Sequence, residues 1–230
     1  RVPANTSELV EAMSRKGFWP VMEGKHIEQF LVGIAPVRWW LSVQQAKSKY
    51  DKTPRDSRTL VFRETAANTN ERTCIAAVLP AGMAASHKLS GILLEEVSID
   101  AAASVLNSFC FDYCLRFRTA GTSISFTYIR PMPVPAPEIV NQLPKITSGL
   151  AWDGGLEHIS SARENWPKLW ELNRAVAEAY GLESEDFAHI LASFPVFTKK
   201  RPEFHAYLLS RLTEWKSERP TRARKRASVV

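Results

Sequence analysis

The chain has 230 residues, 45% of them hydrophobic and 23% charged, with a formal net charge of +6. That is enough apolar side chain for a full core, as one large domain or two small ones, and it excludes a disordered chain. The sequence starts at Arg1 without an initiator Met, holds no apolar signal segment and no run long enough to cross a bilayer, and its Cys74, Cys110 and Cys114 are an odd number in apolar surroundings. The expectation is a cytoplasmic piece of a longer protein whose cysteines stay reduced and pack as core.

In chain order, Thr6 or Ser7 caps a short helix that ends at Gly17. Phe18 to Phe30 holds two apolar runs turned at Glu23-Gly24, which reads as a hairpin or a strand with a tight bend. Trp39, Trp40, Val43, Ala46 and Tyr50 fit one helical face within Val37 to Tyr50, and Asp51 to Ser57 is a polar loop. Thr59 to Arg63 and Arg72 to Leu79 read as strands around a polar loop, and Ile92-Leu93-Leu94 as a further strand.

From Asp100, a candidate cap, Leu106, Phe109, Cys110, Tyr113, Cys114 and Phe117 recur at helical spacing up to Gly121. Ile124, Phe126 and Tyr128 then alternate with Ser and Thr, the pattern of a half-buried strand, until the proline-rich stretch Arg130 to Pro135. A connector leads to helices starting at Trp166-Pro167, at Ser184 and near Pro202. The last fifteen residues carry six cations against Glu218, so they hold +5 of the net charge and the body only +1. Bulk charge is therefore no sign of a nucleic-acid face; its distribution must be.

Four stretches resemble a known family. They are Glu23-Gly24-Lys25 with Ile27-Glu28-Gln29-Phe30; Phe62-Arg63 with Thr69-Asn70-Glu71-Arg72-Thr73; Asn107 to Tyr113 with Leu115-Arg116 and Gly121-Thr122; and Ala177 to Leu182 with His189-Ile190-Leu191 and Phe194-Pro195-Val196. Together they resemble the C-terminal specificity region of adenine-N6 DNA methyltransferases and of fused type IIG restriction-modification enzymes, across about residues 18 to 200. The resemblance implies a target-recognition module that reads double-stranded DNA for a methyltransferase domain absent from this chain. The expected fold is mixed α/β, of the α+β kind: a twisted mixed sheet with packed helices forming the specificity module, followed by a C-terminal helical part. It comprises a recognition module over 1–140, a connector over 141–165, a helical part over 166–215 and a basic, disordered tail over 216–230.

The family's catalytic half is missing. No Gly-x-Gly occurs to cradle S-adenosylmethionine, and no Pro-Pro pair to form the loop that receives a flipped adenine. S-adenosylmethionine, and Mg²⁺ if the parent carries a nuclease, are expected in the parent protein and no cofactor in this chain. Glu23-x-Lys25 matches the end of a nuclease signature but lacks the upstream Asp that would complete a Mg²⁺ site, and the five histidines have no metal-ligand spacing.

The expected mechanism is binding, with side chains on loops reading base edges and cations fixing the register on phosphate. Asn68, Thr69, Asn70 and Arg72 lie at or beside the loop between two strands, and Thr119, Thr122 and Ser123 at the helix-to-strand turn. Lys25, Arg63, Arg116 and Arg118 are the phosphate candidates, although Asp112 and Arg116, four apart, also suit a plain ion pair. Trp39 and Trp40 could stack bases or fill a core. The alternative is a structural adaptor that packs a catalytic domain against a partner subunit; a continuous positive face bearing Arg63, Arg72, Arg116 and Arg118 would favour recognition over it.

Overall fold

The computed structural model describes residues 6–33, 36–49, 57–67, 69–119, 121–147, 149–151 and 156–218. The fold is α+β. It begins with α1 (Thr6–Arg15), β1 (Phe18–Met22), a 3-10 turn (Gly24–His26), β2 (Ile27–Glu28), β3 (Leu31–Gly33), β4 (Trp40–Ser42) and α2 (Val43–Lys49). Strands β5 (Thr59–Arg63), β6 (Ala76–Leu79), β7 (Ala84–Ala85) and β8 (Leu89–Ile92) follow. After them come α3 (Ile99–Leu106), α4 (Phe109–Arg118), α5 (Phe126–Ile129), α6 (Pro137–Val140) and β9 (Gly149–Ala151). The chain then runs through α7 (Trp166–Ala179), α8 (Ser184–Ala192), α9 (Pro195–Lys200) and α10 (Pro202–Glu218).

The strands form three small sheets, ordered β4-β1-β7, β2-β3-β9 and β6-β5-β8. In the last, β5 pairs antiparallel on both edges, Leu60 with Val78 on one side and with Ile92 on the other. Its residues are buried on both faces by alternation. Leu60 and Phe62 enter a large core shared with the helices, whereas Val61 joins a smaller one with Met22, Ile27, Val32 and Leu89. The large core runs unbroken from Phe30 through α3 and α4 to Phe187, Phe197 and Trp215 in the closing helices. Phe109 is its centre, in edge contact with Phe187, Phe194 and Phe197.

Several expected elements take another form. Of the two forms expected for Phe18 to Phe30 the hairpin is not made, because β1 pairs with β4 and β7 while β2 pairs with β3; the tight bend is, as the 3-10 turn at Gly24–His26. The turn between them is set by buried His26, whose Nδ1 accepts the Glu23 N–H at 2.9 Å. The helix expected from Val37 starts only at Val43, since Trp40–Ser42 is taken up by β1 and the Ser42 hydroxyl then accepts the Gln45 N–H.

The long helix from Asp100 is two helices. Asn107 breaks it by pairing its side-chain amide with both backbone groups of Ala76, and Ser108 caps α4 by accepting the Phe111 N–H. Asp100 is not the cap; Ser98 holds that position and Asp100 binds Arg58. The strand expected at Ile124 to Tyr128 is replaced by one bridge, Thr65 to Ser123, and by α5, which places Phe126 edge-on to Phe62 at 5.3 Å. Cys74 and Cys110 are buried and Cys114 half-buried, all free thiols, and burial pushes the Cys110 thiol up to about 12. Among the described residues no helix is long and apolar enough to cross a membrane.

Candidate nucleic-acid interface

Residues 72–75 leave the expected strand because Arg72 and Thr73 are drawn to a carboxylate on α4. Arg72 Nε donates to Asp112 Oδ2 at 2.7 Å, Nη1 to Gln29 Oε1 at 3.1 Å and Nη2 to the Asn107 carbonyl at 2.8 Å. The Thr73 N–H donates to both Asp112 oxygens, and the Arg72 guanidinium lies 4.2 Å over the Phe109 ring. Arg72 and Asp112 are 4% and 0% exposed. A pair this deep persists only because its hydrogen bonds are nearly complete. Gln29 completes the hub by donating to the Cys74 carbonyl, and the next residue, Phe30, is held at φ +61° with its N–H on the Ala76 carbonyl.

This hub corrects part of the sequence reading. Arg72 faces no solvent and cannot read bases, and Thr119 is buried with its hydroxyl on the Leu115 carbonyl. Arg63 holds the β1–β2 turn through the carbonyls of Gly24 and Ile27. Arg116 bonds Asp112 at 3.4 Å and the carbonyls of Asn70 and Glu71 at 2.7 and 2.9 Å, stacked 4.0 Å over Phe194. Three of the four arginines proposed for a positive face are thus used by the fold, and that face does not exist as drawn. Gln29-Phe30, Arg72-Thr73, Asn107 to Asp112 and Phe194, taken from all four motif stretches, meet at this one hub. Those motifs spell its interior.

The two polar loops, 50 residues apart in sequence, are joined. Beside the Thr65–Ser123 bridge, the Ala66 N–H donates to the Thr122 carbonyl at 3.0 Å and the Ile124 N–H to that of Glu64 at 2.6 Å. Arg116 ties in the backbone at Asn70. The side chains of Thr65, Thr69, Asn70, Thr122, Ser123 and Arg118 remain exposed on this shared backbone. Asn68 lies outside the described residues.

Two clefts flank the loops and share Arg63 as a wall. One, of about 520 Å³, is lined by Lys25, Thr65, His87, Lys88 and Trp39, the last 65% exposed. Lys25 is partly exposed and pairs with Glu23 at 3.0 Å. The other, of about 420 Å³, runs between Thr69-Asn70 and the end of α9, where Lys200 and Arg201 stand with His158 and Glu71. Sequence reasoning missed Lys88, Lys200 and Arg201 for this surface. The Lys199-Lys200-Arg201 run, flanked by Pro195 and Pro202, was the signal that could have found the last two.

His158 lines the second cleft with Nδ1 2.7 Å from the Ser160 hydroxyl and 3.2 Å from the Ser160 backbone nitrogen; with the Ser160 N–H and O–H both donating to Nδ1, the ring proton sits on Nε2. Burial first, then the nearby Arg72, Arg201 and Lys200, hold its pKa down to about 3, so the ring is neutral at pH 7. An unfolded His158 takes up a proton near pH 6.5 that the folded one refuses, so stability is lost as pH falls from 6.5 toward 3. Replacing His158 by Gln is expected to flatten the stability–pH slope in that window by up to about 1.4 kcal/mol per pH unit, as measured by denaturant unfolding at stepped pH.

No family model and no curated protein matches the chain. Among solved structures it is similar to the type IIL restriction-modification enzyme MmeI, in a structure with DNA, at 11% identity and a TM-score of 0.45; the match covers 92% of this chain and 33% of that one. The chain spans about a third of the length of the chain it matches.

Proposed function

We propose that this chain is a sequence-recognition module for double-stranded DNA that positions a catalytic domain outside it. The observation that carries the reading is the tethering of two polar loops: backbone hydrogen bonds join Glu64–Ala66 to Thr122–Ile124, Arg116 holds the Asn70 carbonyl, and Thr69, Asn70, Thr122 and Ser123 keep exposed side chains on these tethered segments. The resemblance of the chain's motifs to the specificity region of adenine-N6 methyltransferases and type IIG enzymes supports the same reading. Asparagine pairs bidentately with adenine and hydroxyls with several base edges in the major groove, while Arg118, Lys25 and Lys88 around them supply phosphate contacts. The parent would bring S-adenosylmethionine, with Mg²⁺ if it also cuts, and flip one adenine while this module holds the register.

Electrophoretic binding of the chain to methylated and unmethylated duplex pools tests the reading: retention of a subset of duplexes supports it, and indifference to sequence overturns it. Arg118→Ala and Lys25→Ala are each expected to weaken binding to every duplex alike and to lower the salt slope by about one unit. Deleting residues 219–230, which carry five cations and no carboxylate, is expected to flatten the salt dependence of nonspecific binding and leave the selected sequence unchanged. An unchanged slope would assign the phosphate contacts to the folded body.

A further inference from the structure

The cleft between Asn70 and α9 contains a donor without an acceptor. His158 Nε2 is buried and has no hydrogen-bond partner among the described residues; the nearest carboxylate oxygen, Glu71 Oε1, lies 3.9 Å away. A buried N–H left unpaired costs about 1–3 kcal/mol, and such a group in a native fold calls for a ligand or a water. Glu71 is not free to supply the partner. Its Oε1 accepts from Arg201 Nε at 2.8 Å and its Oε2 lies 3.9 Å from Lys200 Nζ.

The charge around the cleft favours an anion. Its walls carry Arg63, Arg72, Lys200 and Arg201 against Glu28 and Glu71, a balance of +2. Behind Arg72 the Asp112–Arg116 pair is neutral. Lys200 is 60% exposed at the cleft mouth, with only the long 3.9 Å approach to Glu71 to leave behind. Arg201 is fixed by Glu71 and by the Ser161 hydroxyl at 3.0 Å, and so carries α9 and residues 158–161 as one rigid wall against the loop bearing Asn70.

We propose that this cleft receives one backbone phosphate of bound DNA, with Lys200 moving from Glu71 to a phosphate oxygen and the His158 Nε2–H donating to another. This rests on the DNA-recognition reading and adds a role the sequence did not suggest: the closing helices clamp the backbone beside the reading loop. The phosphate fixes how deep Asn70 sits in the groove. Arg201 and Glu71 are positioning residues, since they reach the phosphate only through Lys200 and the wall.

Inorganic phosphate and a bound duplex, each titrated into the whole chain while the His158 ring nitrogen signals are followed by NMR, form the first arm. Both are expected to shift Nε2. The second arm compares the salt slope of duplex binding for the native chain, Lys200→Ala and Lys200→Arg. The alanine variant is expected to lower the slope by about 0.9 for every sequence, leaving the selected sequence unaltered, and the arginine variant to restore it. Sequence-selective binding with an unmoved His158 signal, or with an unchanged slope in Lys200→Ala, overturns the clamp and leaves recognition standing. A chain that binds phosphate but no duplex overturns both readings. Lys200 is exposed, so its variants leave the fold intact.

Discussion

Arg72→Ala is expected to remove about 3–5 kcal/mol of folding stability, a large share of what a domain of this size has. The substitution strands the Asp112 carboxylate, fully buried, with the Arg116 Nε at 3.4 Å and the Thr73 N–H as its remaining partners. It also removes the donor to Gln29 Oε1, leaves the Asn107 carbonyl with only the Gln29 amide at 3.3 Å and empties the space over Phe109. Lysine in its place keeps the charge but not the planar fork that serves three acceptors at once, so Arg72→Lys is expected to recover only a small part. Denaturant unfolding monitored by tryptophan fluorescence gives the loss directly. A cost below about 1 kcal/mol would place Arg72 outside the core and return it to the reading surface.

That expectation inverts what the sequence suggested for this residue, and the reason is physical. A polar residue next to a loop looks free when its partner is distant, and Asp112 is forty positions away. Local periodicity was informative where a segment's own face decides its fate: Thr59–Arg63 forms the expected strand, and α7 and α8 start at the Trp166 and Ser184 read as helix starts. It failed where another element had to offer a place. Ile124 to Tyr128 has the alternation of a strand, but β5 already has β6 and β8 on its two edges, so the segment gains one bridge and coils into α5. Asn107 and Ser108 were legible as polar residues inside an apolar stripe, yet only the Ala76 backbone shows why the helix stops there. The candidate site divided in the same way. Exposed Thr69, Asn70, Thr122 and Ser123 came from composition and turn position, whereas the neighbouring Lys200 and Arg201 reach the site through a Glu71–Arg201 contact that spans 130 residues.

Asn70 and Thr122 are where specificity is expected to lie. Asn70→Ala keeps the backbone carbonyl that Arg116 holds and removes only an exposed side chain, and Thr122→Ala likewise leaves the Ala66–Thr122 hydrogen bond in place. Each should leave folding stability within about 0.5 kcal/mol of the native chain. Against DNA, loss of a base-reading group should cost about 1–3 kcal/mol at one base position, which relaxes the preference there by about five- to 160-fold and leaves other positions alone.

Selection of bound sites from a random duplex pool by the native chain, Asn70→Ala and Thr122→Ala measures this most directly. The expected result is one enriched sequence for the native chain and, in each variant, relaxation at a single position with an unchanged salt slope. The same enriched sequence in all three proteins, with all three folded, would contradict it and remove the joined loops from the specificity surface.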